Sequence, residues 1–171
     1  MNYLIILLTV TLLLSLQTTF ISIFSPSSLA PDLVLITAVY CGIHLKGNTG
    51  IWLAVLLGFV QDCLSGGLLG VNSLSKGLAG LFFSFIKDKI IVQGVVPIGF
   101  FIFATSLADG FIYFLSMVSL LGGLVKGDFL FASIILFGVY NAVIAPFLFY
   151  VFDKVRQWLH RKFPSQVFTS I

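Results

Sequence analysis

Long apolar runs broken by short polar knots pattern this chain, and the knots divide it into six predicted helices. The first run, residues 3–24, closes at SPSSLAP (25–31). Pro31 and Asp32 open the second, where proline is tolerated in the first turn and a carboxylate suits the N-terminal dipole. That helix extends to about residue 45 and stops at KGNTG. The third covers about 51–64 and ends at SGG (65–67). Asn72, a good N-cap, precedes the fourth, which runs to about 86, before KDK. A fifth starts near Pro97 and finishes by LGG (121–123); the sixth starts at Phe129 and reaches at least Phe152.

Runs 3–24 and 129–152 each exceed the ~18 apolar residues needed to cross a bilayer core of about 30 Å. Helices two and three, at about 14–16 residues, reach only about 21–24 Å. Spans that short pack inside a bundle or thin the bilayer locally. With no repeat or linker, residues 1–163 read as one six-helix transmembrane domain with a basic amphipathic C-terminal extension, and 164–171 as a short tail. The fold class is therefore an all-α integral membrane bundle. The N-terminal run reads as a retained helix rather than a signal peptide, because it lacks a basic n-region and Pro31 follows SLA directly.

Composition agrees with that solvent. Only 9% of the 171 residues are charged, there is no Glu, and a water-soluble domain carries about 25%. A net charge of +3 gives no footprint for nucleic acid. Cys41 and Cys63 lie in apolar context, as small packing residues rather than a redox pair. Lys and Arg then set the orientation. Six passes put Lys46, Lys87, Lys89, Lys154, Arg156, Arg161 and Lys162 on one side and only Lys126 in the opposite loops, seven against one. By the positive-inside rule both termini are cytoplasmic. The end of the sixth run, FDKVRQWLHRKF, spaces Phe152, Val155, Leu159 and Phe163 on one helical face. It is either a surface-lying helix anchored by Trp158 or a basic tail that locks topology.

Polar residues inside the spans are the candidate functional groups, since each charge at mid-membrane costs about 2.5–3.5 kcal/mol on insertion scales and so faces a partner or a cavity. These are Asp62, Lys76 and Asp109, with Asn72 and Asn141 as neutral company. The turn between helices three and four places Asp62 and Lys76 at similar depth, which permits an ion pair; Asp109 is the other possible partner for Lys76. Gly66, Gly67 and Gly70 allow a turn with positive φ, while Gly77, Ala79 and Gly80 give helix four a small-residue face. The stretch is a packed internal hairpin, a surface for a partner protein, or a ligand or proton path. Hydroxyls on helix one, Ser15 and Thr18 among them, are partner-helix candidates or bond their own preceding carbonyls. No Ser/His/Asp grouping, phosphate-cradling loop, metal spacing or carboxylate pair suggests catalysis or a cofactor.

PDLVLITAVYCGIHLKGNTG (31–50) followed by GFVQDCLSGGLLGVNSLSKGLAG (58–80) resembles the MreD family of rod shape-determining proteins. The resemblance lies in the Pro-Asp-Leu entry, the Gly-x-x-x-Asp ending of helix three and the Gly-x-x-Gly-x-Asn turn. It places the family's polar motif on Asp62, Gly67, Gly70, Asn72 and Ser73, and has no position for Lys76. It implies a non-enzymatic protein of the bacterial inner membrane, without cofactor. Partners implied are a bitopic MreC-like protein, an MreB-like filament and the peptidoglycan polymerase-transpeptidase pair of cell-wall elongation. It also implies a fold similar to the substrate-binding subunits of energy-coupling-factor transporters. The alternative function is therefore the membrane subunit of a vitamin transporter, for which Tyr113, Tyr140 and Asn141 are the available ligand contacts.

Overall fold

The computed structural model describes residues 17, 31–45, 48–65, 68–89, 94–121 and 127–162. Among these residues it contains five helices and no strand: α1 (Leu33–His44), α2 (Thr49–Ser65), α3 (Val71–Ile86), α4 (Val95–Leu121) and α5 (Gly127–Lys162). They correspond to predicted helices two to six. Of the first predicted helix only Gln17 is described; it is helical and buried.

α1 is the centre of the bundle. Asp32 caps it in extended backbone, accepting the Leu35 N–H at 3.0 Å, and His44 is its last residue. Every residue from Leu33 to Val39 is buried, as expected for a helix apolar all round. Its 12 residues make about 18 Å, well short of a bilayer core; its first two turns are enclosed by its neighbours, while Tyr40, Cys41, Ile43 and His44 are half-buried.

α2 and α3 form a tight antiparallel hairpin against α1. Glycine makes the approach feasible: a methyl group on Gly80 would lie 2.6 Å from the Ala54 side chain, and one on Gly77 2.7 Å from that of Val55. Helices in lipid gain little from burying apolar surface as such, so close backbone packing of this kind supplies the cohesion. α4 and α5 pair along their lengths and contain the two segments apolar enough to span a membrane, Val95–Ser116 and Ala132–Trp158. Pro146 lies inside α5 and has no N–H for the Ala142 carbonyl. That carbonyl faces Gly99 of α4, where a side chain would meet it at 3.4 Å. The basic segment after Phe152 is not a separate helix: α5 continues unbroken to Lys162.

The molecule thus has two units, the α1–α2–α3 trio and the α4–α5 pair. Their shared apolar core combines Leu35, Ile36 and Val39 of α1 with Ala79 and Phe83 of α3, Ile102 of α4 and Ala145 and Phe149 of α5. Polarity is inverted relative to a protein in water. Lys76, Asn141 and Ser106 are 0% exposed, whereas Trp52 is 71% and Phe147 68% exposed. Apolar side chains outside and charges inside suit a lipid solvent.

Candidate functional site: a buried charge cluster between the two units

Lys76 lies in the first turns of α3, facing the α4–α5 pair. Its ammonium meets Asp32 Oδ2 at 2.9 Å, Asp109 Oδ1 at 3.0 Å and Asn72 Oδ1 at 2.7 Å. An ammonium has three N–H donors, and these acceptors use all of them. Asp32, at the head of α1, also receives the Gln61 amide at 3.2 Å, while its own backbone N–H donates to Asn141 Oδ1 of α5 at 2.8 Å. Asn141 in turn donates to Ser106 of α4 at 2.9 Å, and Ser75 of α3 donates to Asp109. Gln17 accepts the Val34 N–H at 3.3 Å, tying the first predicted helix to the same corner. The cluster therefore joins the trio to the pair through three charges and the amides around them.

Its depth follows from position in the long helices. At 1.5 Å per residue, Asp109 lies about 21 Å from Val95, the start of the α4 apolar segment, and Asn141 about 14 Å from Ala132 in the oppositely directed α5. Both lie well inside the apolar segments. α1 begins here, at Asp32.

A second cluster adjoins the first. Asp62, near the end of α2 and 1% exposed, takes the backbone N–H groups of Gly70, Asn72 and Ser73 at 3.0, 3.1 and 2.9 Å. It also accepts the Asn72 side-chain amide at 3.0 Å. Asp62 thereby caps α3 from the neighbouring helix, satisfying N–H groups that no helix can satisfy at its own start. Ser73 Oγ returns a bond to the Val55 carbonyl at 3.2 Å. Asn72 links the clusters, donating to Asp62 and accepting from Lys76.

Of the sequence candidates, Asp32, Asp62, Gly70, Asn72, Ser73, Lys76 and Asp109 come together in these two clusters. Gly70 has the expected positive φ, 96°. Gly66, Gly67, Ser15 and Thr18 lie outside the described residues. Two expectations are corrected. Asp62 and Lys76 do not pair: backbone donors occupy the Asp62 carboxylate, and Asp32 and Asp109 hold the lysine. Nor is Asn72 the N-cap of α3; that position is Gly70, without a side-chain cap bond, because Asp62 reaches across from α2. Gln17, Gln61, Ser75 and Ser106 were not singled out from the sequence. Their only signal is adjacency: Gln61 and Ser75 each stand one residue from a buried charge, and Gln17 is the sole amide in the first apolar run.

The cluster is nearly saturated. Among the described residues, Gln61 Oε1 is the buried side-chain polar atom left without a partner. Asn141, one of the contacts available to the vitamin-transporter reading, spends its amide on Asp32 and Ser106, while Tyr113 and Tyr140 are each more than 40% exposed. What the arrangement does chemically is fix the relative position of α1, α3, α4 and α5.

A family model for the rod shape-determining protein MreD matches residues 1–155. No curated protein and no solved structure gives a match.

Proposed function

The chain belongs to the MreD family of rod shape-determining proteins, and from that premise we propose that it is a non-catalytic scaffold of cell-wall elongation in the bacterial inner membrane. The family match over residues 1–155 carries this reading, and it gives the chain a place among the proteins that determine rod shape. The structure supports the finer part in one respect. Nearly all the buried polar groups of the two clusters engage one another, so most of the surface left for other molecules is the apolar exterior, with Trp52, Phe85, Phe100 and Phe147 exposed. Such a surface serves lipid and the spanning helices of other proteins.

In this proposal the chain crosses the membrane six times with both termini in the cytoplasm, and binds a single-span MreC-like protein near the filament and the peptidoglycan synthases. The likeness to energy-coupling-factor subunits rests on the family resemblance alone. Small and hydroxyl-bearing residues allow close helix contact in lipid, which makes the first predicted helix, with Ser15 and Thr18, the docking face to test. Changing both to leucine should reduce recovery of the MreC-like partner from solubilised membranes at unchanged protein level, and cells should lose rod shape. Normal recovery with normal shape removes that helix from the interface. Recovery of a transporter ATPase in place of shape proteins would sink the scaffold.

A further inference from the structure

At the end of the bundle remote from the buried cluster, the last turn of α1, the start of α4 and the late part of α5 enclose an open groove of about 240 Å³. His44, Ile98, Phe149, Asp153, Arg156 and Gln157 line it. We infer that this groove binds the phosphoethanolamine headgroup of a membrane phospholipid, with Arg156 and Gln157 on the phosphate and Asp153 on the amine.

Three observations carry the assignment. The first is level. His44 ends α1, Val95 begins the apolar segment of α4, and Asp153 lies five residues before Trp158, where the apolar segment of α5 ends. All three place the groove where hydrocarbon gives way to headgroups, the layer in which Trp and basic residues collect. Its size is the second. Sites for whole drug-sized ligands run to about 300–1,000 Å³, so this groove holds a headgroup whose acyl chains stay outside in the bilayer. Ile98 and Phe149 supply the apolar wall such a ligand needs where headgroup meets chain.

The third observation is charge. Asp153 Oδ1 accepts the Tyr40 hydroxyl at 2.9 Å and lies 3.7 Å from His44 Nε2. The imidazole stacks on the Tyr40 ring at 4.1 Å, and its Nδ1 lies 3.1 Å from the Tyr40 carbonyl. These contacts fix the carboxylate in place and leave Oδ2 unengaged among the described residues. One turn further along α5, half-buried Arg156 lines the same groove and makes no hydrogen bond or ion pair among the described residues. A guanidinium is planar and matches phosphate oxygens two at a time. A fixed anion and an unengaged cation one helical turn apart complement a ligand carrying both charges. A purely anionic headgroup would meet Asp153 unfavourably, and a trimethylated amine would offer it no N–H.

The inference is independent of the scaffold proposal and is tested on the purified full-length protein in detergent. Native mass spectrometry would compare retention of phosphatidylethanolamine, phosphatidylglycerol and phosphatidylcholine supplied in equal amounts, with inorganic phosphate as competitor. Phosphatidylethanolamine should be retained about tenfold over either of the others, the worth of one charge-assisted hydrogen bond. Arg156→Gln should lower its retention by a similar factor. Asp153→Asn, whose amide oxygen still accepts the Tyr40 hydroxyl, should abolish the preference over phosphatidylglycerol. Equal retention of the three lipids by the unaltered protein, or phosphatidylglycerol ahead, overturns the assignment whether or not the variants fold. So does unchanged retention by Arg156→Gln. Displacement of the lipid by millimolar inorganic phosphate would mark a site for free anions and overturn the lipid assignment too.

Discussion

Replacing Lys76 with methionine removes the cation that, among the described residues, stands alone in the joint between the two helical units, while keeping most of the side-chain volume. Asp32 and Asp109 are then both buried without it, and the Asn72 carbonyl loses its donor. Breaking a buried ion pair by removing one partner costs about 3–5 kcal/mol. Asp32 retains the Leu35 N–H and the Gln61 amide and Asp109 retains Ser75, so the loss should stay within that range rather than double. For a chain of this length 1 kcal/mol corresponds to about 2–4 °C in Tm, which gives a fall of about 6–20 °C. The informative comparison is Lys76→Met combined with Asp32→Asn and Asp109→Asn. It removes all three charges, keeps a side-chain acceptor for Leu35 and Ser75, and should recover most of the loss. Thermal unfolding in detergent, followed by near-ultraviolet circular dichroism, reads both. A single variant within 2 °C of the parent, or a triple variant as unstable as the single, would refute the view that paired charge holds the joint.

Asp62→Asn should destabilise nearly as much as Asp62→Ala, because the amide NH2 would face either the Gly70 and Ser73 N–H groups that Oδ2 now accepts or the two Asn72 donors on Oδ1; rescue by Asn would mean that charge and double acceptance are dispensable. Gly80→Leu should split the α2–α3 hairpin and abolish accumulation in the membrane, whereas Gly94→Ala, which among the described residues would meet Pro97 at 3.8 Å, should be far milder despite its positive φ; immunoblots of membrane fractions distinguish them. Single cysteines at Ser28 and Asn48, in a chain lacking Cys41 and Cys63, should differ in labelling by an impermeant thiol reagent, with Ser28 reactive from outside; equal external labelling overturns the six-span topology.

Helix positions were legible because apolar runs and their polar interruptions are local. α2 and α4 begin within about two residues of where punctuation puts them, at Thr49 and Val95. The small-residue face of α3 was legible for the same reason, since Gly77 and Gly80 share one side of a helix. Partner choice was legible only in part: Asp109, the alternative partner named for Lys76, does meet it, but Asp62 does not. The hairpin brings Asp62 near Lys76 in sequence, and proximity along the chain favoured that pair. Asp62 is claimed instead by three backbone donors at the start of α3, a demand visible only once the turn geometry is known. Lys76 is then left to Asp32, whose position at the head of α1 suggested capping alone, and to Asp109. The sequence shows that charges are buried. Which charge meets which depends on how the trio stands against the pair.

The distribution of those charges makes the two units unequal. Lys76 and Asp32 both belong to α1–α3, so once that part of the chain is in the bilayer its buried lysine already has a counter-ion. Asp109 belongs to α4 and, among the described residues, finds its cation on α3. Synthesis runs from the N-terminus, so the half made first is electrically complete in this cluster and the half made second is not. Charge pairing therefore favours one direction of assembly, in which α4 and α5 dock onto a unit that already holds the lysine.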